Sequence, residues 1–436
     1  MKTRGHLLYS SAYLAIALTT QTLVTWYAYY YAPPDRVGFI NIALVGYALL
    51  LGRIVDAVAD PLVAFWSDHT SSKKGRRIPF IKYGALPLVL TFILVWFPPL
   101  AETSIYNFIY LTLIMSGFFF FFTVVVAPYL ALLPELTPDP NERVTISTYQ
   151  SIFNIFGLLL ASIGAGFLIN GFGYRVMGIT LGVIALVFFY LPVLAVKEEK
   201  QLKAKDDVRF RDNITQLLQN KNYVNYQLAN LLIWFGINML TISVPYIGSV
   251  LLGVGEEGSG LLLGGTFIVA IFASPLILKL THRCGKKIVF SRVILLLTVN
   301  LGLIFLIGRP WLFFQQLWYG YVVIALAGIP ISAIFILPNA IIADLTDHDY
   351  YRTGQKREAM FFGIQGLISK MTIGISSWVT LAVFFNYFGY SSENPTGIYL
   401  TIPLAIVLNL FSYFIFTRGY NMDEEMVRSF RTYHLK

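Results

Sequence analysis

The chain has 436 residues, 56% of them hydrophobic, 16% aromatic and only 13% charged, with a mean hydropathy of +0.66. That balance goes beyond what a soluble core needs and excludes a soluble globular or disordered protein. The net charge of +9 comes with no soluble basic module interleaved with aromatics, so it argues against nucleic-acid binding and for retention beside an anionic leaflet.

Apolar runs near or above the about 20 residues that cross a bilayer fall at 9–31, 38–66, 78–98, 105–133, 144–170, 173–195, 221–250, 257–280, 284–308, 313–343, 358–386 and 396–418. They predict an all-α membrane protein of twelve transmembrane helices. The first run follows Lys2, Arg4 and His6, but it is too long for a secretion signal, ends in Trp26 and a tyrosine cluster, and lacks a small-residue cleavage site. It is read as the first helix. The longest polar interval, 196–220, divides six helices from six. The expected plan is a six-helix bundle at 1–195, a cytoplasmic linker at 196–220, a second bundle at 221–418 and a cytoplasmic tail at 419–436.

Lys and Arg collect on the cytoplasmic side of short loops. Under an even helix count the basic clusters, including Lys73, Lys74, Arg76, Arg77, Lys286 and Lys287, share one side, and of the loop residues only Arg36, Arg175 and Arg309 fall on the other. Both termini are thus expected in the cytoplasm, and the chain in the cell (inner) membrane.

Inside the second predicted helix stand two aspartates one turn apart, Asp56 and Asp60, with Arg53 one turn earlier. At 1.5 Å per residue, Asp60 lies about 10 Å and Asp56 about 16 Å from the polar stretch that begins at Ser67. A charge at that depth costs about 3 kcal/mol on insertion scales, so these groups should face a wet cavity or a partner. That makes them the leading functional candidates.

The halves also repeat with a shift of roughly half the chain. Pro61-Leu62 precedes His69 and the Lys73 to Arg77 cluster as Pro275-Leu276 precedes His282, Arg283, Lys286 and Lys287. Likewise Pro128, Glu135-Leu136-Thr137 and Arg143 correspond to Pro338, Asp344-Leu345-Thr346 and Arg352. Both copies keep the same predicted side of the membrane, so the repeat is parallel, the plan of the major facilitator fold, in which two halves rock about a central site.

Gly52 to Pro61 with the basic loop after it, Thr123 through Pro128-Tyr129, Asp344-Leu345-Thr346-Asp347, and Arg357-Glu358 leading to Lys370 together resemble the glycoside-pentoside-hexuronide cation symporters, the melibiose permease-like family of the major facilitator superfamily. The resemblance covers nearly the whole chain. It implies that Asp56, Asp60, Thr123 and Lys370 surround a coupling cation, with Arg53 beside them. A bare alkali ion or proton in low dielectric needs hard oxygen ligands. Lys370 would neutralise the carboxylates until the ion arrives, and ion occupancy would bias the rocking equilibrium. One positive charge crossing 100 mV releases about 2.3 kcal/mol, enough for roughly 50-fold accumulation. No phosphate-binding loop of the Gly-x4-Gly-Lys-Ser/Thr kind occurs, so an ion gradient is the expected energy source and no cofactor is implied.

The chain departs from the family's galactoside transporters at Ala17, Val126 and Gln150, where the resemblance leads one to expect two acids and an arginine. Whether Na⁺ or H⁺ is used stays open, and a melibiose-like cargo is disfavoured. The candidate cargo contacts are uncharged: Gln21, Tyr149, Gln150, Asn154, Trp234, Asn238, Gln365 and Trp378. Amides with aromatic planes suit a small neutral carbohydrate or glycoside. Asp68, Arg76, Arg77, Arg143, Asp344, Asp347, Arg357 and Glu358 are expected to form the inner gate of a protein that works as a monomer.

Other readings are weaker. Cys284 is the only cysteine, which rules out internal disulfides, and the five histidines lack metal-ligand spacing. Pro128-Tyr129-Leu130-Ala131-Leu132 is shared with the lysophospholipid symporter of the same family, so a lysolipid is the alternative cargo. Paired aspartates four apart also occur in Mg²⁺-dependent membrane prenyl-transferring enzymes, a third and least favoured reading.

Overall fold

The computed structural model describes residues 3–70, 72, 75–136, 140–195, 217, 219–311, 313–354 and 357–422. The linker expected at 196–220 and the tail from 423 onward lie almost wholly outside these residues.

The described residues form helices and no strands, because a backbone in hydrocarbon must satisfy its own hydrogen bonds within the segment or in a closed barrel. Ten helices are long and apolar enough to cross a membrane. One of them, Thr145–Leu194, breaks at Gly173, where φ is 81° and ψ 170°, a conformation that a residue without Cβ adopts freely. With a shorter apolar helix, Ile78–Leu94, the described residues are consistent with the expected twelve crossings. In chain order they are α1 (Gly5–Tyr31), α2 (Ile42–His69), α3 (Ile78–Leu94), α4 (Ile105–Leu136), α5 (140–172), α6 (174–195), α7 (Lys221–Leu251), α8 (Glu256–Cys284), α9 (Lys286–Phe305), α10 (Leu317–Thr353), α11 (Met360–Phe388) and α12 (Thr396–Gly419). The expected runs agree with these helices, with two differences of note. The third run overreaches α3 by four residues, since Val95 and Trp96 turn out of the helix, and α10 extends ten residues past its apolar run, to a left-handed cap at Gly354.

Phe272, Leu113 and Leu194 are 78%, 66% and 80% exposed, as lipid-facing side chains must be and as a soluble surface would avoid.

The chain divides into two compact units whose limits differ from the halves of the sequence. The first contains Met1–Lys203 together with Thr241–Gly264 and Ser377–Ile398. In it α2 and α4 approach closely at Gly52, whose Cβ, if added, would sit 2.9 Å from the Phe119 ring. Tyr9 and Tyr129 clamp α1 to α4, each hydroxyl donating to the other's carbonyl at 2.8 and 2.9 Å. The later segments join at the end of the helices remote from the chain termini. Tyr246 donates to the Ala32 carbonyl at 3.0 Å, Asn170 to Glu257 at 3.0 Å, and Ser392 to Asp35 through its backbone N–H at 2.9 Å and its hydroxyl at 2.5 Å. α5 meets α8 glycine to glycine, with the Gly166 Cβ position 3.2 Å from the Gly260 Cα. π-helical turns at Leu160–Gly164, Ile247–Leu251 and Val379–Phe385 lie beside these joins, where an extra residue shifts the helix face.

The second unit holds Ala204–Leu240, Gly265–Ser376 and Tyr399–Lys436. In it α7 is seamed to α12 by Ser412 donating to the Ala229 carbonyl at 2.9 Å and Asn225 donating to the Gly419 carbonyl at 2.9 Å. The repeat seen in the sequence has a structural counterpart. Arg77 at the start of α3 donates to the Ala131 carbonyl near the end of α4, and Lys286 at the start of α9 pairs with Asp344 near the end of α10 at 2.5 Å.

Candidate cation site and polar lining

The first unit brings four of the expected site residues together. Arg53 and Asp56 lie three residues apart on α2, and Arg53 Nη1 donates to Asp56 Oδ2 at 3.1 Å. The Arg53 guanidinium also sits 4.0 Å from the centre of the Phe119 ring, a cation–π contact that desolvation strengthens. From α4, the Thr123 hydroxyl donates to Asp56 Oδ1 at 2.7 Å and lies 3.2 Å from Asp60 Oδ1. Asp56 is fully buried, Thr123 is 2% exposed and Asp60 is half-buried. The close approach at Gly52 and the four-residue spacing of the aspartates put both carboxylates on the face of α2 that meets Thr123.

Charge balance decides what this arrangement can hold. One guanidinium, two carboxylates and one hydroxyl meet here, and buried carboxylates need compensating positive charge or donors. Three oxygens converge, Asp56 Oδ1, Asp60 Oδ1 and Thr123 Oγ1. Hard oxygen donors from two carboxylates and a hydroxyl fit a monovalent alkali ion, or a proton on one carboxyl. Among the described residues no cluster of three His, Cys, Asp or Glu side chains suits a metal.

Lys370, expected at the same site, is half-buried on α11 in the second unit. Arg53 is the basic group seen bonded to Asp56, a role the spacing of three residues on one helix could have signalled more firmly.

The expected cargo contacts are dispersed. In the first unit Gln150 is buried and donates to the Tyr129 hydroxyl at 3.4 Å, while Gln21 donates to Thr25 on its own helix at 3.0 Å. Tyr149 and Asn154 are half-buried on α5. Trp378 stacks edge-on to Tyr47 with ring centres 5.8 Å apart, and its indole N–H is buried without a hydrogen-bond partner. In the second unit Trp234 meets Phe335 at 5.6 Å, and buried atoms of Asn238 and Gln365 lack partners. An open cleft of about 540 Å³ lined by Arg36, Asn386, Tyr390 and Asn394 opens at the remote end of the first unit. None of the cation-site residues lines it.

Two of the residues expected at the inner gate, Asp344 and Arg357, form ion pairs within the second unit. Lys286 holds Asp344, and Arg357 grips Asp349 in a fork, with Nε to Oδ2 at 2.9 Å and Nη2 to Oδ1 at 2.8 Å. Asp349, buried at 5% exposure, was not among the expected gate residues, although its place on α10 eight residues before Arg357 is readable in the sequence. Asp347 and Arg76 are half-buried. The side chains of Asp68, Arg143 and Glu358 lie outside the described residues.

Known proteins agree with this architecture. The isoprimeverose transporter of Lactiplantibacillus pentosus is 26% identical over 382 residues, spanning 85% of this chain and 78% of the relative. The sodium-dependent lysophosphatidylcholine symporter 1-A of Danio rerio is 24% identical over 384 residues, 77% of this chain and 69% of that one. Among solved structures, a D-xylose-proton symporter superposes with a TM-score of 0.66 at 15% identity, covering 94% of this chain and 95% of that one, a likeness of fold. With residues 8–420 matching it, the chain belongs to the MFS/sugar transport protein family.

Proposed function

We propose that this multi-pass membrane protein is a secondary active transporter that couples symport of a small neutral carbohydrate or glycoside to one monovalent cation, Na⁺ or H⁺, by alternating access. The observation that carries the reading is the Arg53, Asp56, Asp60 and Thr123 cluster, in which two carboxylates and a hydroxyl deep in a membrane helix pair bring three oxygens together. Relatives named as symporters, among them YagG, a putative glycoside/cation symporter of Escherichia coli, support cation coupling and a carbohydrate cargo. Membership in a transporter family excludes the Mg²⁺-dependent transferase reading.

The halves 1–195 and 221–418, linked by 196–220, rock against each other, and binding of the ion changes the charge at the carboxylates and so biases the equilibrium. Both termini, with the tail at 419–436, face the cytoplasm, and the transporter works as a monomer in the inner membrane. Lys370 acts as a second counter-charge along the ion's path. The ion pairs Lys286–Asp344 and Arg357–Asp349 brace the cytoplasmic ends of the second half.

The lysophosphatidylcholine symporter of Danio rerio keeps a lysolipid as the competing cargo. Uptake by proteoliposomes of labelled isoprimeverose, D-xylose and lysophosphatidylcholine under imposed Na⁺ or H⁺ gradients separates the two. Gradient-driven accumulation of a carbohydrate is expected, and accumulation of the lysolipid alone would overturn the carbohydrate assignment.

A further inference from the structure

Helix α7 carries a polar stripe that the cation site does not use. Gln227, Asn230, Trp234 and Asn238 are spaced three, four and four residues apart, which confines them to a face about 80° wide. Gln227, Asn230 and Asn238 are 4%, 1% and 7% exposed. The opposite face of α7 is the one seamed to α12, through Asn225 and Ala229 and through Gly236, whose Cβ position lies 3.3 Å from that of Ala405. The stripe therefore plays no part in holding α7 to α12.

Each of its three amides keeps a buried atom without a hydrogen-bond partner: Gln227 Oε1, Asn230 Oδ1 and Asn238 Nδ2. The stripe looks toward α11. Gln227 donates to the Tyr223 hydroxyl at 2.9 Å, and that hydroxyl donates to the Phe361 carbonyl at 3.1 Å. The Tyr223 and Phe361 rings pack edge to face at 4.7 Å. As odd-numbered crossings, α7 and α11 run in the same direction, so one turn beyond this contact sets Gln227 level with Gln365, whose Oε1 is a third buried acceptor without a partner.

A buried polar atom left unbonded costs about 1–3 kcal/mol, and native structures keep few of them. Three neighbouring amide oxygens call for O–H donors. A cation is disfavoured there, because all three side chains are neutral and would leave its charge uncompensated. Hydroxyls, of water or of a sugar, satisfy the oxygens without adding charge.

We infer that Gln227 and Asn230 of α7, with Gln365 of α11, form a hydroxyl-binding site in the second unit for the neutral polyhydroxylated cargo, with water holding it between cargo molecules. The site rests on the carbohydrate reading above and adds Gln227 and Asn230 to the contacts already expected, Gln365 among them.

The experiment uses the full-length transporter in proteoliposomes, with Cys284→Ser as background. Gln227→Met and Asn230→Leu keep side-chain volume and remove hydrogen bonding; each is expected to raise the half-saturating isoprimeverose concentration about tenfold while leaving the half-saturating cation concentration unchanged. Asn230→Cys is expected to react with a small hydrophilic methanethiosulfonate, and saturating isoprimeverose is expected to slow that reaction at least severalfold. A site for water alone would give labelling that isoprimeverose does not slow, and a dry helix seam would give no labelling; either result overturns the proposal. Wild-type protein that accumulates isoprimeverose while both apolar variants keep its half-saturation overturns this site and leaves the carbohydrate reading standing. Wild-type protein that accumulates only lysophosphatidylcholine overturns both.

Discussion

Replacing Asp56 by Asn keeps the shape of the side chain and removes one charge from a site that holds Arg53, Asp56 and Asp60. The variant offers an incoming cation one carboxylate fewer beside the same guanidinium. At an effective dielectric constant near 20, a carboxylate about 4 Å from a unit charge contributes about 4 kcal/mol of attraction, so the variant should bind the coupling ion about a thousandfold more weakly. Arg53, bonded to Asp56 at 3.1 Å, would lose its charged partner and repel the ion, making that figure a floor. Thr123→Ala removes a neutral oxygen, worth about 1 kcal/mol or five- to tenfold. The gap between the two variants is the signature of charge balance. Proteoliposomes give the readout: gradient-driven accumulation should vanish in Asp56→Asn while carbohydrate counterflow persists, and Thr123→Ala should accumulate with a raised cation requirement. A double variant, Arg53→Gln with Asp56→Asn, removes the guanidinium together with the carboxylate and should recover part of the ion affinity. Equal losses for Asp56→Asn and Thr123→Ala, or unchanged accumulation in Asp56→Asn, would refute the charge argument.

Three further expectations follow from packing and polar contacts. Gly157→Ala would place a Cβ 2.5 Å from the Leu14 carbonyl oxygen and 2.8 Å from the Ala17 Cβ, so α1 and α5 must part at a cost of about 1–3 kcal/mol, seen as a lower Tm of the purified protein. Arg357→Lys keeps the charge but loses the two-pronged grip on Asp349; the change should cost about 1.5–3 kcal/mol of stability, and a Tm equal to that of wild type would count against the brace. Asp35→Ala removes both bonds from Ser392 and leaves a residue with a φ of 58° that lacks the side-chain oxygen favouring that conformation. The closed remote end should loosen, and a thiol introduced by Tyr390→Cys should label several times faster than in the Asp35 parent.

How far the sequence reaches is clearest at particular residues. Length of apolar run alone specifies the crossings, because hydrocarbon admits only segments that satisfy their own backbone, and the 3.6-residue period alone puts Asp56 and Asp60 on one face of α2. The family resemblance adds Thr123, which the fold places 2.7 Å from Asp56. The match over residues 8–420 is the expected outcome of motifs kept in order and spacing. Periodicity cannot say which neighbour a polar face meets. Arg53 bonded to Asp56 and stacked on Phe119 depends on α4 approaching at Gly52, and Arg357 meeting Asp349 depends on the chain turning back at Gly354. Gln227 and Asn230 look in the sequence like any amides near a helix end, and only the seam of α7 with α12 on the opposite face exposes their unmet hydrogen bonds. The compact units, too, cross the boundary between the sequence halves, because close contacts such as Gly166 against Gly260 form through space. Local rules of burial and period thus determined the membrane helices and the acidic pair, whereas partner choice and unmet polar groups arise from contacts between distant segments, which tertiary packing alone decides.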